Sequence, residues 1–528
     1  MGLFLSSFVI LLLVAISDIV ARLVPHISST YINILIGVLA ACVPVINHAI
    51  LGFENDVFMT LIIAPLLFFE GQRTALQIVG RRVRSIFGSA IVLAIISAVV
   101  ATIVIRPMLG GPFALALIVV AISTPTDATA LGSVSQGHKL QHSVEKALTL
   151  EALFNDATGL VLLQAALIWY QTGHLNLLQN SGRLLLSAGG GVLIGAVIAL
   201  VMMLGRQFLL RSAANVISSQ TLFYLLTPFI VYLVAEHLGM SGIIATVTAG
   251  LINNSEAIRS RFSSPRQMHL GLQLVNFADD VLNSFVFVVL GINLGRIVLT
   301  RHASMVHNLS WLVIGISVYL ILLVCRFVYA KLLVADRTWR SSVLFSFGGV
   351  HGTVTLAMTF SILGQGLAST TFNLILLAEA TVILLSMIVP TILFHLILPR
   401  DWDEAQRPQM IKTLRYRAVH AGIKAVKQLS LSKEVKQIVI FDLKDQMGLT
   451  TLRWFWREWR GVSGQSAVLT SLQSVEQRRA LMQAFKVERD YPYEQAATHQ
   501  VPSTYVYDVY AEVLLAETIV LDPQNQVI

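Results

Sequence analysis

Ionisable and amide side chains lie inside long apolar segments of this 528-residue chain, where lipid or a protein core would surround them. These residues are Glu70, Asp127, Glu151, Asn155, Asp156, Arg326 and His351. Charged residues are rare in membrane spans, and those that occur there are candidates for function. A buried carboxylate can hold a cation or a proton, and a buried arginine can neutralise a second carboxylate. The set therefore predicts cation or proton chemistry within the apolar part of the chain.

The segment EALFNDATG, residues 151–159, carries three of these polar residues on one predicted helix. Glu151 and Asn155 are four residues apart and share one face of that helix. Asp156 is rotated by about 140° from Glu151 and points to a neighbouring surface of the same turn. One carboxylate could then bind a cation while Arg326, which is always charged, neutralises the other.

Two further segments have the composition of helices that are interrupted within a membrane. In STPTDATAL, residues 123–131, the proline removes a backbone donor, and the serine and threonines can satisfy the freed backbone groups. GGVHGTVTL, residues 348–356, combines glycines with threonines in a similar way. An interrupted helix offers carbonyl oxygens to a bare cation and dipole ends that balance charge. Two such helices in corresponding halves of a chain predict a transporter site between them.

The composition places the chain in the membrane class. Hydrophobic residues make up 55% of it and charged residues only 12%, about half the charged fraction of soluble proteins. The net charge of +8 comes from short basic clusters between apolar runs and not from a basic patch interleaved with aromatic residues, so no nucleic-acid partner is expected. Cys42 and Cys325 lie far apart in apolar runs and predict neither a disulfide nor a metal site.

About thirteen apolar runs have the length that a membrane span needs. They are 3–23, 29–47, 56–71, 86–106, 113–134, 145–170, 184–205, 220–238, 240–253, 273–299, 310–335, 341–364 and 370–398. The predicted fold is therefore an all-α polytopic membrane protein, with the two interrupted helices in its fifth and twelfth spans.

Basic residues concentrate in every second loop between the spans. The loop after the third span carries Arg81, Arg82 and Arg84, whereas the next loop carries little beyond Arg106. Because cytoplasmic loops are enriched in Lys and Arg, the asymmetry predicts an N-terminus outside and a C-terminus in the cytoplasm. The expected location is the plasma membrane.

The character of the sequence changes near residue 401. Charges become frequent beyond this point, and segments such as 410–428 and 470–489 have helical spacing of apolar residues. We therefore predict a transmembrane domain over residues 1–400 and a cytoplasmic, helical, regulatory domain over residues 401–528.

Six motifs, in order along residues 1–400, resemble those of the monovalent cation:proton antiporter-1 family, the NhaP/NHE-type Na⁺/H⁺ exchangers. EALFNDATG is similar to the family's ES-x-x-ND signature, and STPTDATAL resembles its threonine–aspartate motif on an unwound helix. The other four are FFEG (68–71), AEHLGMSGIIATVTAGL (235–251), LNSFVFVVLGINL (282–294) and GGVHGTVTLAM (348–358). The resemblance implies an antiporter, and not an enzyme, that exchanges Na⁺ or Li⁺ for H⁺ without a cofactor. It also implies two inverted repeats with crossed discontinuous helices, and a homodimer.

The resemblance also assigns roles to the polar residues. It implies that Asp156 binds the cation or the proton and that Thr126 offers a backbone carbonyl to the transported Na⁺. Asp127 would order the site, and Glu70 and Asn155 would lie beside it. An Asn–Asp pair, unlike the Asp–Asp pair of electrogenic relatives, implies that one cation exchanges for one proton with no net charge moved.

The same comparison implies that Glu151 and Arg326 form a structural ion pair, and it reveals three departures. Ala152 stands where the family commonly has a serine whose hydroxyl is a cation ligand, so the choice among Na⁺, Li⁺ and K⁺ stays open. His351 stands where the family commonly has arginine, and Pro125 precedes the threonine–aspartate pair instead of following it. Since histidine titrates near neutral pH, His351 is predicted to balance charge and to sense pH.

Three other functions compete with Na⁺/H⁺ exchange. A K⁺/H⁺ antiporter of the same fold is the nearest, because Ala152 removes a cation ligand. A cation channel or sensor on this scaffold would need a leak pathway, which the titratable site argues against. An intramembrane aspartyl protease also places two aspartates on adjacent spans, but neither Asp127 nor Asp156 stands in the Tyr-Asp or Gly-x-Gly-Asp motif of such enzymes.

Overall fold

A computed structural model describes most of the chain. The described residues are 2–24, 27–50, 55–73, 87–173, 177–211, 217–260, 265–300, 309–333, 338–399, 402–446, 470–497 and 503–521. Within these ranges every secondary-structure element longer than one residue is a helix, which confirms the predicted all-α class. Arg81, Arg82 and Arg84, on which the orientation partly rests, lie outside the described residues.

The chain forms two compact units, Met1–Pro399 and Arg400–Ile528. The first half of the N-terminal unit contains α1 (Gly2–Leu23), α2 (Ser29–Cys42), α3 (Pro44–Ala49), α4 (Asn55–Phe58), α5 (Ala64–Arg73), α6 (Ala94–Leu109), α7 (Phe113–Ile122), α8 (Ala128–Val134) and α9 (His142–Thr172). Two π-helical stretches, Met59–Ile63 and Phe87–Leu93, lead into α5 and α6.

The unit continues with α10 (Leu177–Arg211), α11 (Ile217–His237), α12 (Gly242–Ser260), α13 (Pro265–Thr300), α14 (Ser310–Leu333), α15 (Trp339–Phe347), α16 (Thr353–Ser361) and α17 (Ser369–Ile397). The C-terminal unit contains α18 (Trp402–Gln428), α19 (Lys433–Asp445), α20 (Ser471–Ala497) and α21 (Ser503–Leu521).

Seven stretches of helix in the described residues are long and apolar enough to cross a membrane. They are Leu5–Leu23, Gly88–Leu109, His142–Thr172, Leu186–Leu209, Gln273–Arg296, Ser310–Leu333 and Ser369–Ile397. Four shorter apolar helices accompany them, at Ser29–Cys42, Phe113–Ile122, Thr221–His237 and Gly242–Asn254. The chain is therefore a multi-pass membrane protein. Many leucines and phenylalanines on the outer faces remain exposed, as expected of side chains that contact lipid.

The structure divides three of the predicted spans. The run 29–47 is split at Val43 into α2 and α3. The runs 113–134 and 341–364 are each interrupted near their middle, so that α7 is followed by α8 and α15 by α16 after short non-helical segments. Since an extended segment cannot satisfy its own backbone groups, these two breaks need partners from elsewhere in the protein.

Close packing of backbones holds the helices around the breaks. α2 and α13 meet at Gly37 and Gly291, where a Cβ atom on either residue would collide with the backbone of the other helix. Small residues at such a crossing are typical of helix pairs in membranes, where packing and not the hydrophobic effect drives association.

Candidate ion-binding site

The two helix breaks lie against each other, and Asp127 joins them. Its Oδ1 accepts hydrogen bonds from the backbone amides of Thr129 (2.8 Å) and Ala130 (3.0 Å), at the start of α8. Its Oδ2 accepts from the backbone amide (3.1 Å) and the hydroxyl (3.2 Å) of Thr353, at the start of α16. One carboxylate therefore caps the positive ends of two half-helices.

The two breaks also contact each other through backbone carbonyls, which accept hydrogen bonds from the opposite break. The amide of Asp127 donates to the carbonyl of Val350 at 2.7 Å. The ring Nδ1 of His351 lies 2.7 Å from the carbonyl of Pro125, just beyond the C-terminal end of α7. A donor at this position complements the negative end of the half-helix. The two breaks thus satisfy each other's backbone groups.

Glycine is required where the break between α15 and α16 approaches charged side chains. A Cβ atom on Gly352 would overlap the Asp127 carboxylate, and one on Gly349 would overlap the guanidinium of Arg326. The glycines of GGVHGTVTL therefore act through close approach, because a larger residue would force the charged groups out of their positions.

Asn155 of α9 forms hydrogen bonds with the break between α7 and α8. Its amide nitrogen donates to the Thr126 hydroxyl at 2.8 Å, and its oxygen accepts from the Thr126 backbone amide at 3.3 Å. Both residues are buried. This two-point contact sets the orientation of the Thr126 peptide relative to α9, and hence relative to Asp156.

Asp156 lies next to this contact and is buried, with 5% of its surface exposed. Its Oδ1 has no hydrogen-bond partner among the described residues, and no Lys, Arg or His of the described chain forms an ion pair with it. Asp127 is close enough to interact with it electrostatically. A carboxylate in this setting needs a proton or a cation, because a bare buried charge is unfavourable.

Glu151 and Arg326 form a buried ion pair one helical turn away. Both guanidinium end nitrogens contact the carboxylate, with Nη2 and Oε2 at 3.2 Å, in the two-point geometry that favours arginine. The guanidinium also donates to the carbonyls of Phe345 and Ser346, each at 3.3 Å. The pair ties α9 to α14 and to the end of α15, so Arg326 is occupied by Glu151 and not by Asp156.

The remaining predicted residues lie around this centre. Glu70 of α5 is half-buried and close enough to Asp127 and Asp156 to interact with their charges. Ala152 is buried, with 6% of its surface exposed, and offers no side-chain oxygen. No group of three or more His, Cys, Asp or Glu side chains in the described ranges could hold a resident metal ion.

Two cavities reach the site. The first, of about 440 Å³, lies among α1, α2, α8 and α13 and connects Arg22 with Asp127; Asp18, Asp280 and Asn283 also line it. The second has a volume of about 20 Å³ and is lined by Thr126, Asn155, Glu151, Arg326 and His351. A space of that size holds about one water-sized particle.

Sequence reasoning missed Glu379 of α17. This residue is fully buried, and its Oε2 accepts a hydrogen bond of 2.7 Å from the hydroxyl of Ser123, at the end of α7. Its Oε1 has no hydrogen-bond partner within the described part of the chain. The signal was present, since Glu379 is a lone acid in the apolar run of the last predicted span.

The fold and site define a class: an all-α, multi-pass transporter with two interrupted helices around buried carboxylates. A model of the sodium/hydrogen exchanger family, transmembrane part, matches residues 8–399, and the chain belongs to this family of transporters. It is therefore not an enzyme of the aspartyl-protease type, and the two oxygens of Asp127 are already used as helix caps.

Similar proteins agree with this assignment. The sodium, potassium, lithium and rubidium/H⁺ antiporter of Bacillus subtilis is 30% identical over 446 residues, which cover 81% of this chain and 66% of that protein. Its counterpart in Bacillus pumilus is 31% identical, and the match covers 61% of its length, so the chain spans less than two thirds of either relative. An uncharacterised Na⁺/H⁺ exchanger of Escherichia coli, YjcE, is 28% identical over the full length of both chains.

Among solved structures, the chain is similar to the sodium proton antiporter MjNhaP1 of Methanocaldococcus jannaschii. The TM-score is 0.58 at 17% sequence identity, and the match covers 75% of this chain and 99% of the other. At this identity the likeness supports the fold.

Proposed function

We propose that this protein exchanges Na⁺, or another small monovalent cation, for H⁺ across a membrane. The observation that carries the proposal is Asp156, a buried carboxylate with an oxygen that has no hydrogen-bond partner and with no ion-pairing cation among the described residues. Family membership and the names of the relatives support the same activity.

In the proposed mechanism, Asp156 binds either the cation or the proton, and the two compete. The Asp156 carboxylate and the backbone carbonyl of Thr126 would be ligands of the transported Na⁺. Asn155 holds the Thr126 peptide in place, and Asp127 stabilises the two half-helix ends beside it. Glu70 lies beside them, close enough to Asp127 and Asp156 to interact with their charges.

The proposed stoichiometry is one cation for one proton. Asn155 stands beside Asp156, so the site has one carboxylate that alternates its occupant, whereas Asp127 is committed to its four hydrogen bonds. Exchange of this kind moves no net charge, and the membrane potential does not drive it.

Access would alternate by movement of the helices that carry the breaks against the helices around α2 and α13. The larger cavity reaches Asp127 but Asp156 does not line it, so this arrangement admits an ion only part of the way. We propose that this cavity opens to the cytoplasm, with the N-terminus outside and the C-terminal unit inside. We further propose a plasma-membrane location, a homodimer, and a regulatory role for the C-terminal unit.

K⁺/H⁺ exchange is the second candidate. Ala152 provides no hydroxyl ligand beside Asp156, which reduces the discrimination between Na⁺ and larger ions. The Bacillus relatives carry names that include sodium, potassium, lithium and rubidium. We therefore expect a site that accepts several monovalent cations.

The test uses proteoliposomes with an imposed proton gradient and an internal pH-sensitive dye. Addition of Na⁺, K⁺ or Li⁺ should move protons in the wild type, and Asp156→Asn should abolish the response to every cation. Asp490→Asn, which removes an exposed carboxylate in the C-terminal unit, is the matched control and should behave as the wild type.

The stoichiometry is tested in the same proteoliposomes with an imposed membrane potential, which should leave the rate of one-for-one exchange unchanged. A wild-type protein that moves protons with none of the three cations would overturn the proposal. Steady cation flux without proton movement would instead identify a channel.

A further inference from the structure

The C-terminal unit contains a basic concave surface that the proposed transport cycle does not use. A cavity of about 730 Å³ lies among α18, α19 and α20, and we call it the tail cavity. Its polar lining consists of Tyr416, Arg417, Lys424, Lys427, Lys444 and Tyr491, together with His420. The described residues of this lining include four permanent cations and no carboxylate.

The charge of this cavity begins in the sequence of α18. Between residues 405 and 433 the chain has seven Lys or Arg residues and no Asp or Glu. Two of the seven are neutralised by α21, since Arg407 pairs with Asp508 and Arg415 pairs with Glu512. The cations that line the tail cavity form no ion pair with the described residues, so their charge is available to a ligand.

The helical spacing brings these cations to one side of α18. Arg417, His420, Lys424 and Lys427 fall within an arc of about 80° at 100° per residue, and they extend over about 15 Å of helix. The opposite side of α18 is buried, with Val419 and Val426 in the core of the unit. Lys444 of α19 and Tyr491 of α20 line the same cavity, so three helices contribute to it.

Aromatic rings accompany the charges. The ring of Tyr416 lies on that of His420, with centroids 4.4 Å apart and planes tilted by 36°. Tyr416 is 46% exposed, so much of its surface is free to contact a ligand. Flat rings of this kind stack on nucleic-acid bases and on other planar heterocycles.

We propose that the tail cavity binds a nucleotide, a small anion that carries both phosphate groups and a flat ring. Lys and Arg provide charge-assisted hydrogen bonds to phosphate oxygens. The exposed tyrosine ring provides a stacking surface for the base, and the volume is within the usual range of small-molecule sites. A lipid headgroup offers the same phosphate but no flat ring, so the tyrosines distinguish the two sources.

Equilibrium dialysis of ATP against the full-length protein, held in nanodiscs of phosphatidylcholine, tests the proposal. We expect the combined substitutions Arg417→Gln, Lys424→Gln and Lys427→Gln to weaken ATP binding by about tenfold or more. The matched control combines Lys433→Gln, Arg479→Gln and Lys486→Gln, which removes the same three charges from exposed positions outside the cavity. This control should bind ATP as the wild type does.

A second variant tests how much stacking on Tyr416 contributes to binding, independently of the contacts to the phosphate groups. Tyr416→Leu should weaken ATP binding by about fivefold or more, because one stacking contact is lost. The same variant should bind tripolyphosphate with wild-type affinity, which also shows that the unit is folded.

Three results would overturn the proposal. The first is the absence of ATP binding to the wild type. The second is an equal loss of ATP binding in the two triple variants, which indicates a non-specific charge effect. The third is protection of α18 from hydrogen exchange by nanodiscs containing phosphatidylglycerol, with no protection by ATP, which identifies an anionic lipid surface as the ligand. None of these readouts depends on ion transport.

Discussion

At the residue scale, the membrane unit uses its buried carboxylates in four different ways. Asp127 is saturated with hydrogen bonds, Glu151 is neutralised by an arginine, and Asp156 keeps an oxygen that has no hydrogen-bond partner among the described residues. Glu379 differs from all three, because its only described partner is the neutral hydroxyl of Ser123. The same chemical group therefore serves as a cap, a counter-ion, a proposed ion ligand and a helix contact.

Glu379 gives the first prediction. Without a nearby cation, a buried carboxyl group is most stable when it carries a proton, and glutamine has nearly the same shape and keeps the acceptor. Glu379→Gln should therefore retain cation-driven proton movement in proteoliposomes, whereas Glu379→Leu should lower it about tenfold by leaving the Ser123 hydroxyl without this acceptor. Loss of transport in the glutamine variant would show instead that the acid itself takes part in the cycle.

His351 gives the second prediction. Its ring contacts the Pro125 carbonyl at the first break, and a change in its charge would act on the end of a half-helix beside the proposed ion site. We expect His351→Gln to retain a hydrogen-bond donor and to lose the part of the pH dependence that the imidazole provides. The measurement is the rate of exchange between pH 4 and 9; an unchanged pH profile would assign His351 a purely structural role.

At the scale of helices, the contact between the two breaks is the central feature. α7 and α8 are separated by a segment whose backbone groups are satisfied by the segment between α15 and α16, and the reverse also holds. The contact explains why the breaks are stable in an environment without water. The Glu151–Arg326 pair then fixes α9 beside them.

This pair gives the third prediction. Removing one partner leaves the other charge buried, and such changes cost about 3–5 kcal/mol. Glu151→Gln and Arg326→Gln should each lower the melting temperature of the detergent-solubilised protein. The double variant should recover part of the loss, since no unpaired charge remains. If the decrease in melting temperature of the double variant equals the sum of the decreases in the two single variants, the interaction between Glu151 and Arg326 contributes nothing specific to stability.

At the scale of the whole molecule, the C-terminal unit has its own core and its own titratable group. Glu488 of α20 is fully buried beside Gly422 of α18, and neither carboxylate oxygen has a hydrogen-bond partner within the described residues. Burial raises the pKa of Glu488 from 4.5 to about 8. The folded unit therefore binds a proton that the unfolded chain has already lost at neutral pH.

The direction in which the stability of the C-terminal unit changes with pH gives the fourth prediction. The contribution of Glu488 to stability is fully present below pH 4.5 and declines as the pH rises to about 8, where the buried group ionises. The C-terminal unit of the full-length protein should become more sensitive to limited proteolysis between pH 6 and 9. Glu488→Gln should remove most of this dependence, whereas Glu434→Gln, at an exposed position, should leave it intact.

The sequence alone determined the class of the fold and the identity of most candidate residues. An excess of apolar residues needs lipid, and proline, glycine and threonine within spans interrupt helices, so these features follow from local chemistry. Neighbours on one helix, such as Glu151 and Asn155, also follow from the helical period.

Only the tertiary structure decided which group meets which. Asp127 caps α16, more than two hundred residues away along the chain, and His351 donates toward Pro125 across the same distance. The sequence shows Glu379 as a lone acid in an apolar run, but only the structure shows that it contacts Ser123. The basic run of α18 is visible in the sequence, but the tail cavity also needs α19 and α20, and only the structure brings the three helices together. Hydrogen bonds and electrostatic interactions act through space over a few ångströms, and the order of residues along the chain does not specify those distances.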